Sequence, residues 1–361
     1  MKNLLFALTI VMVHLQALSN DGTFYAKGNQ LIPIQETEIS VKKEILSVKK
    51  IANKYFEITV YYEFFNPGNE KKITVGFEAF SPYGDTDGAP KNGEHPYMRD
   101  FTVNINNEII SYNVAIVPDT TFIKNGKINQ VKLSEIDGET SGNAVDFNYV
   151  YYFDVNFKKG INVIKHTYSF DISSSVDSFY EFEYNLTAAK RWANKQIDDF
   201  TLIVDLGEFE TFSIDKTFFQ TADDWILNGI GNHFDCKAQY EWERDGVKFN
   251  LQKGFLVFHQ TDFKINGDLF IHSKNNYSFG NSDENFIPFS YYNDYVISEP
   301  TTDFQRKVLK NLPFARRGYI FKNEDLNAYF QKYDWYIPSP NYSPVVESLT
   351  DLEKAWIEKW K

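Results

Sequence analysis

The stretch Tyr55-Phe-Glu-Ile-Thr-Val-Tyr-Tyr-Glu-Phe64 decides how this chain must be read. Phe56, Ile58, Val60, Tyr62 and Phe64 fall on one side of an extended chain, and Glu57, Thr59 and Glu63 fall on the other. Alternation at period two is the signature of a strand with one face in a core. The run Asn66-Pro-Gly-Asn69 then turns the chain, and Ile73, Val75 and Phe77 resume the alternation.

The same pattern extends in both directions. Phe101, Val103 and Ile105 alternate before Asn106-Asn107, and Asn125-Gly126 is a hairpin dipeptide. Tyr149, Tyr151, Phe153, Val155 and Phe157 form another face, which Lys158-Lys-Gly160 turns into Ile161-Asn-Val-Ile164. Phe182, Tyr184 and Leu186 alternate, as do Phe200, Leu202, Val204 and Leu206. Asp245-Gly246 and Asn266-Gly267 both read as tight hairpin turns, because these residues tolerate positive φ. Antiparallel strands with short turns predict a mainly β, antiparallel sandwich-like body over residues 20–297. That body is either one unit or two lobes. The polar run Asp171–Ser178 is the candidate division, and a long hairpin loop explains it equally well.

Composition agrees with a packed fold. Aromatics make up 17% of the 361 residues, with 33 Phe and 23 Tyr, while charged residues are an ordinary 24%. The formal charge is −12, a balance that repels polyphosphate and argues against a nucleic-acid partner. Cys236 is the only cysteine, so no internal disulfide forms and stability rests on burial. Its setting, Asn232-His-Phe-Asp-Cys236, leaves a Cys/His/Asp site open beside the commoner use of a lone thiol as a small buried residue.

Residues 1–19 have the parts of a signal peptide: Lys2, an apolar run from Leu4 to Val13, and small Ala17 and Ser19 before Asn20. The apolar run falls short of the ~20 residues a spanning helix needs. A retained anchor is the alternative. The expectation is an extracytoplasmic protein, exported by a cleaved signal and without a later transmembrane segment.

Near Glu299-Pro300 both charge and periodicity change. From Glu299 onward ten Lys/Arg face nine Asp/Glu, a net of +1, so with Lys2 set aside residues 20–298 carry −14. Arg306, Lys307, Lys310, Arg316, Arg317 and Lys322 crowd one short segment. Phe304, Val308 and Leu312 repeat every four residues, as on a helix face. Pro313 should kink or end that helix, and Gly318 suits a helix end. Asn323 offers an N-cap to a second helix carrying Leu326, Tyr329 and Phe330 on one face. Thr350 and Glu353 form a capping box before a last helix lined by Leu352, Trp356 and Trp360. Residues 300–361 therefore read as a small helical domain.

Its centre, Asn311-Leu-Pro-Phe-Ala-Arg-Arg-Gly-Tyr-Ile-Phe321, resembles the YARHG domain found at the C-termini of exported bacterial proteins. The matching residues are Asn311, Ala315, Arg316, Gly318, Tyr319 and Phe321, then Leu326, Tyr329, Phe330, Trp335 and Tyr336. Phe314 stands where that family has Tyr, and Arg317 where it has His. The second change removes imidazole chemistry. The body resembles an uncharacterised β-rich family of exported bacterial proteins through Asp21–Leu31, Phe64–Pro67 and Tyr184–Asp205 with Trp192. Together the resemblances imply a bacterial protein acting at or near the cell envelope, with no assigned activity.

Spacings for zinc proteases, α/β-hydrolase nucleophiles, phosphate loops and CxxC pairs are absent. The mature histidines His95, His166, His233, His259 and His272 are never closer than thirteen residues, although His259 and His272 could sit on neighbouring strands. Asp198-Asp199 and Asp223-Asp224 are adjacent carboxylates of a kind chance supplies in so acidic a chain. Asp85, Asp87 and Glu94 in the loop 81–96 could offer oxygens to Ca²⁺, but the full loop spacing is missing. No catalytic residue, metal or cofactor is assigned.

The candidate binding residues are Arg316, Arg317, Tyr319, Trp335 and Tyr336, for a cell-envelope glycan or protein partner. On a helix the two arginines diverge by about 100°, so one is expected to pack on a ring or an acid and the other to reach solvent. The competing use of the aromatics is as the core of the small domain. Two functions result: a non-enzymatic envelope binding module, or a hydrolase with a composite site on the β body.

Overall fold

The computed structural model describes residues 27–35, 37–119, 121–238, 241, 243–274 and 286–361. The signal segment 1–19 and the start of the Asp21–Leu31 resemblance lie outside the described residues.

Strands dominate up to residue 274. The first are β1 (Lys27–Asn29), β2 (Leu31–Pro33), β3 (Ser40–Ile51), β4 (Tyr55–Asn66) and β5 (Lys71–Ala79). Then come β6 (Met98–Ile105), β7 (Glu108–Ile110), β8 (Asn113–Pro118) and the small hairpin β9 (Ile123–Lys124) and β10 (Lys127–Ile128). Next are β11 (Phe147–Phe157), β12 (Gly160–Asp171), β13 (Ser178–Asn185) and β14 (Ile197–Asp205). The last are β15 (Glu210–Asp215), β16 (Trp225–Cys236), β17 (Gly246–Phe263) and β18 (Leu269–Lys274).

Strand β4 buries the residues the alternation names: Phe56, Ile58, Val60, Tyr62 and Phe64 are each at most 1% exposed. It lies inside a sheet ordered β14-β3-β4-β12-β6-β7. Strand β17 joins this wing to a second one. Its residues 256–263 pair with β14 and its residues 246–251 with β15, while β16 runs along 246–258. Since 246–251 and 256–258 each have β16 as a second neighbour, β14 and β15 share the other edge of β17. The second wing continues β15-β18-β13-β1. Pairing is antiparallel except at β14–β3 and β1–β13.

The second wing folds over the first. The rings of Phe56 and Phe182 lie 5.0 Å apart, and the Tyr62 and Tyr184 hydroxyls are 3.4 Å apart. A separate sheet, β2-β5-β11-β8, covers the rest of the first wing, with Phe77 against Phe101 at 5.5 Å and Tyr168 at 4.9 Å. Tilted and edge-on ring pairs each add about 0.5–1.5 kcal/mol beyond area burial. The body is an antiparallel sandwich with an aromatic core. The polar segment after Asp171 connects β12 to β13, and residues of both strands join one hydrophobic cluster.

Two corners carry the chain between layers, and an asparagine holds each. The Asn66 side chain donates to the carbonyls of Asn69 (2.9 Å) and Phe157 (3.0 Å) and accepts from Gly68 N (3.1 Å). Asn162 does the same for Lys158 and Gly160. Both are fully buried, so the turn backbone is satisfied without water. Asn106-Asn107 and Asn125-Gly126 form the expected turns with positive φ.

Two turn readings are corrected. Cys236 pairs with Gly246, so β16 and β17 are linked by residues 237–245 and not by a two-residue turn at Asp245-Gly246. Strands β17 and β18 do not pair at all, because β15 lies between them. Gly267 is required there for another reason: a Cβ would sit 2.5 Å from the Thr217 carbonyl oxygen.

The C-terminal part is helical: α1 (Asp303–Ala315), α2 (Glu324–Phe330) and α3 (Asp351–Lys359). Thr302, Asn323 and Thr350 cap them through hydrogen bonds to Gln305 N, Leu326 N and Glu353 N. Pro313 stays inside α1. Its missing N–H frees the Leu309 carbonyl, which accepts instead from the Trp356 indole of α3 at 2.7 Å. The buried face of α3 is Glu353, Ile357 and Trp360, whereas Leu352, expected on that face, is 86% exposed.

Candidate functional site

The helical region places its marked residues inward. Gly318 has φ +79°, and a Cβ there would stand 2.1 Å from the Ile337 carbonyl oxygen. This turn starts both arginines toward acids, Arg316 to the partly exposed Asp294 and Arg317 to the buried Glu353. Arg316 is 3% exposed; it donates to the Pro288 carbonyl at 2.8 Å and to Asp294 at 2.5 Å, and stacks 4.2 Å above Tyr291. Arg317 forms a two-pronged pair with Glu353 at 2.5 and 3.0 Å and lies 4.9 Å from the Phe209 ring. Burial works against the Glu353 charge. Even so, Arg317, Tyr291 and the Thr350 backbone hold its carboxyl below the usual range.

The expectation that one arginine reaches solvent is therefore corrected: both are absorbed by acids the motif does not contain. Trp335 (5% exposed) donates to the Ile287 carbonyl at 3.0 Å, and Tyr336 (6%) to the Tyr319 carbonyl at 2.7 Å. Tyr319 is half-buried against Phe321 at 4.8 Å. Four of the five candidate residues hold the domain together and present no shared face. Arg306, Lys307 and Lys322 stay exposed and Lys310 half-exposed.

One body residue belongs to this second core. Phe209 adopts φ +56°, unfavourable by about 1–2 kcal/mol for a residue with a side chain. That turn puts its ring against Phe289 at 5.8 Å and Tyr291 at 5.4 Å. Lys248 to Asp334 (2.7 Å) and Thr211 N to the Ser290 hydroxyl (2.9 Å) complete the junction. Beneath it Lys50 and Glu210 pair at 2.7 Å, both nearly sealed from solvent.

A cavity lies elsewhere, on the outer face of β13, β18 and β15. It measures about 760 Å³. Outward-pointing Glu181 and Glu183 come from β13, Phe270 and His272 from β18, and Asp215 from β15. Cross-strand register explains the convergence: Glu181 is opposite His272, and Glu183 opposite Phe270. His272 Nε2 is 3.2 Å from Asp215, and its ring stacks on Phe270 at 5.2 Å. Burial raises the Glu181 carboxyl, with the Ser178 hydroxyl opposing. Loop residues Lys216, Arg244 and Asp268 close the sides, with Lys274 at one end. A second cavity of about 250 Å³ shares Glu183 and Asp268 as walls and is bounded by Phe80, Ser81, Tyr83 and Asn148. The first cavity has the volume of small-molecule sites, with a lining that is mostly polar and charged.

Comparison with known proteins separates the two regions. A family model for the YARHG domain matches residues 290–361. That segment is a YARHG domain. It starts ten residues before the charge boundary, because Tyr291 and Asp294 supply the partners of Arg316. Over the whole fold, a crystal structure from Legionella pneumophila, provisionally described as a nutrient binding protein, is 19% identical. It covers 95% of this chain and 100% of that chain, with a TM-score of 0.51. At that identity the likeness establishes the fold. An M1 zinc metallopeptidase from Deinococcus radiodurans (8% identity, 67% of this chain, 43% of that chain, TM-score 0.25) aligns too poorly to inform function. The same holds for baculovirus P35 (9%, 68%, 99%, 0.27). A search of curated proteins gave no match.

The YARHG domain aside, the remaining sequence candidates are scattered. Asp87 accepts from Ala89 N and Gly142 N, Asp85 from Asn143, and Glu94 from Tyr112. Among the described residues no three His, Cys, Asp or Glu side chains converge on a metal position. His259 pairs with Asp199 on the first wing and His272 with Asp215 on the second, so the two are not strand neighbours. Burial pushes the Cys236 thiol up, away from a reactive thiolate.

Sequence reading missed two inward charges on β3. The phase set by Leu46 and Val48 already puts Glu44 and Lys50 on the core side. Glu44, wholly buried and held by Gln30 at 2.7 and 2.9 Å, is pushed up to about 8 by burial.

Proposed function

We propose that this chain is an exported, non-enzymatic binding protein of the bacterial cell envelope, and that its ligand site is the groove on the body. The observation that carries this reading is the convergence, on one sheet face, of polar side chains from three strands around a 760 Å³ cavity. The YARHG domain, whose arginines and aromatics are internal, acts as a fixed abutment locked by Phe209. The fold shared with a protein described as nutrient binding fits this reading, as does the absence, among the described residues, of a helix able to cross a membrane.

A hydrolase remains the second reading, favoured by the His272–Asp215 contact inside the groove. Against it, Ser178, which does donate to the Glu181 carboxylate, is buried, and the groove's threonines serve the frame: Thr187 donates to the Asn185 side-chain oxygen and Thr217 to the Asp268 carbonyl. A nucleophile needs a base at that hydrogen bond instead.

The test is a thermal-shift screen of the secreted chain against amino acids, short peptides and oligosaccharides, repeated on Phe270→Ala and Asp268→Asn. A stabilising ligand whose effect both variants abolish supports the binding reading. Turnover of a peptide or glycoside substrate, lost in His272→Ala, would replace it with the hydrolase.

A further inference from the structure

A separate cavity of about 260 Å³ lies where the body meets the YARHG domain. Lys248 and Asn250 of β17 form one side, Phe289 and Asn293 a second, and Asp334 and Trp335, beyond α2, the third. Neither region makes this space alone. Asn293 is only 4% exposed, yet its carboxamide oxygen has no hydrogen-bond partner. Its neighbours fix it in place. Arg316 stacks on Tyr291 at 4.2 Å and pairs with Asp294 at 2.5 Å, while the Ser290 hydroxyl accepts from Thr211 N at 2.9 Å. A buried acceptor without a donor is unfavourable, and a donor entering the cavity relieves it.

The lining selects against charge. Lys248 and Asp334 pair with each other at 2.7 Å, and Asn250 donates to Asp334 at 3.4 Å. The Lys332 ammonium lies over the Tyr329 ring at 5.9 Å, and Tyr329 is not part of the lining. An ionic ligand therefore has to compete with a pair already made. The apolar wall is a stack of rings, with Trp335 5.6 Å from Phe289 and 5.5 Å from Tyr333. A neutral ring bearing several hydroxyls can donate to Asn293 and Asp334, accept from Lys248 and rest its apolar edge on the aromatic side. The volume falls just short of the ~300 Å³ at which drug-sized sites begin, so it suits one such ring.

We propose that the junction cavity is a second ligand site, which holds one neutral pyranose ring, free or at the end of a glycan. The ring bridges Asn293 and Asp334 of the YARHG domain to Lys248 of the body. This goes beyond the groove reading and does not rest on it.

Saturation-transfer NMR and thermal melting of the full chain test it with glucose, N-acetylglucosamine, cellotriose and glucuronate. At least one neutral sugar is expected to bind, and glucuronate at least tenfold more weakly than glucose. Binding of cellotriose as tight as that of glucose identifies a glycan end, and binding of the monosaccharides alone a free sugar. Asn293→Leu removes the unpartnered oxygen, so its melting temperature should hold or rise while sugar affinity falls at least tenfold. A lowered melting temperature with unchanged affinity would make Asn293 a structural residue and overturn the site. Asp334→Asn, at an exposed position, is the second variant and should weaken binding at least fivefold in a folded chain. Phe270→Ala, in the groove, should leave it unchanged. Sugar binding that survives Asn293→Leu and is lost in Phe270→Ala overturns this inference and leaves the groove reading standing. Glucuronate bound as tightly as glucose, no sugar bound at all, or a sugar-soaked crystal with only ordered water against Asn293 each overturns it as well.

Discussion

The YARHG domain and the body groove draw on the same side-chain chemistry and use it in opposite directions. In the domain, Arg316, Arg317 and Glu353 turn inward, and each charge meets a partner within about hydrogen-bond distance. In the groove, Glu181, Glu183, His272 and Lys216 line an open cavity instead of a core, although His272 pairs with Asp215 at 3.2 Å and Lys216 with Asp235 at 2.9 Å. The domain's motif is contiguous, Asn311 to Phe321, though its acids lie 22 and 36 residues away; the groove's residues are drawn from segments running from Asp177 to Lys274. A dense local motif here marks a small fold that must hold itself together. The site is assembled from residues that look unremarkable one strand at a time.

Substitutions can break that contrast. Arg316→Ala removes a buried guanidinium and leaves the Pro288 carbonyl and the partly exposed Asp294 carboxylate without their partner, and is expected to destabilise by about 2–3 kcal/mol. Hydrogen exchange should show the loss confined to residues 290–361. If groove affinity falls with it, the domain props the groove and the two regions are not separable.

Arg317→His restores the family's residue but forfeits the two-pronged contact with Glu353, at a loss of about 1.5–3 kcal/mol in chemical denaturation. An unchanged midpoint would show that the Arg317–Glu353 pair is incidental. Because Glu353 is held below its ordinary value, this contribution is present above the carboxylate range and lost as pH falls through it.

The body should respond to pH at both ends. His166 is sealed among Tyr62, Phe77, Phe101 and Tyr168 with neither ring nitrogen hydrogen-bonded, and burial lowers it to about 3. The unfolded chain takes up that proton near 6.5, so stability is complete above that value and declines as pH falls toward 3. Glu44 behaves oppositely: the folded state keeps its proton up to about 8, so stability is complete below the ordinary Glu value and declines as pH rises to 8. His166→Phe should flatten the acid limb of melting temperature against pH, and Glu44→Gln the alkaline limb. A profile unmoved by either would remove these groups from the account.

The smallest effect belongs to the outer face of the first wing. Lys43→Ala breaks the exposed pair with Asp199 and should alter stability by no more than about 0.5 kcal/mol. A larger loss would mean that this face is covered by something in solution.

Much of the molecule was legible beforehand. Period-two alternation found the inward faces of β4, β11 and β14, and capping residues found α2 and α3, because both signals depend on neighbours a few residues away. The same local rules misjudged Asn266-Gly267, whose glycine answers to Thr217 across a strand that local sequence does not name. They misjudged the arginines too, since Asp294 lies 22 residues from Arg316 and Glu353 lies 36 from Arg317. The sequence by itself determined the strand faces, the helical end and the YARHG signature. The tertiary structure alone decided which charges are neutralised inside and which converge on the groove, because pairing across strands and between helices depends on through-space distances that chain order does not encode.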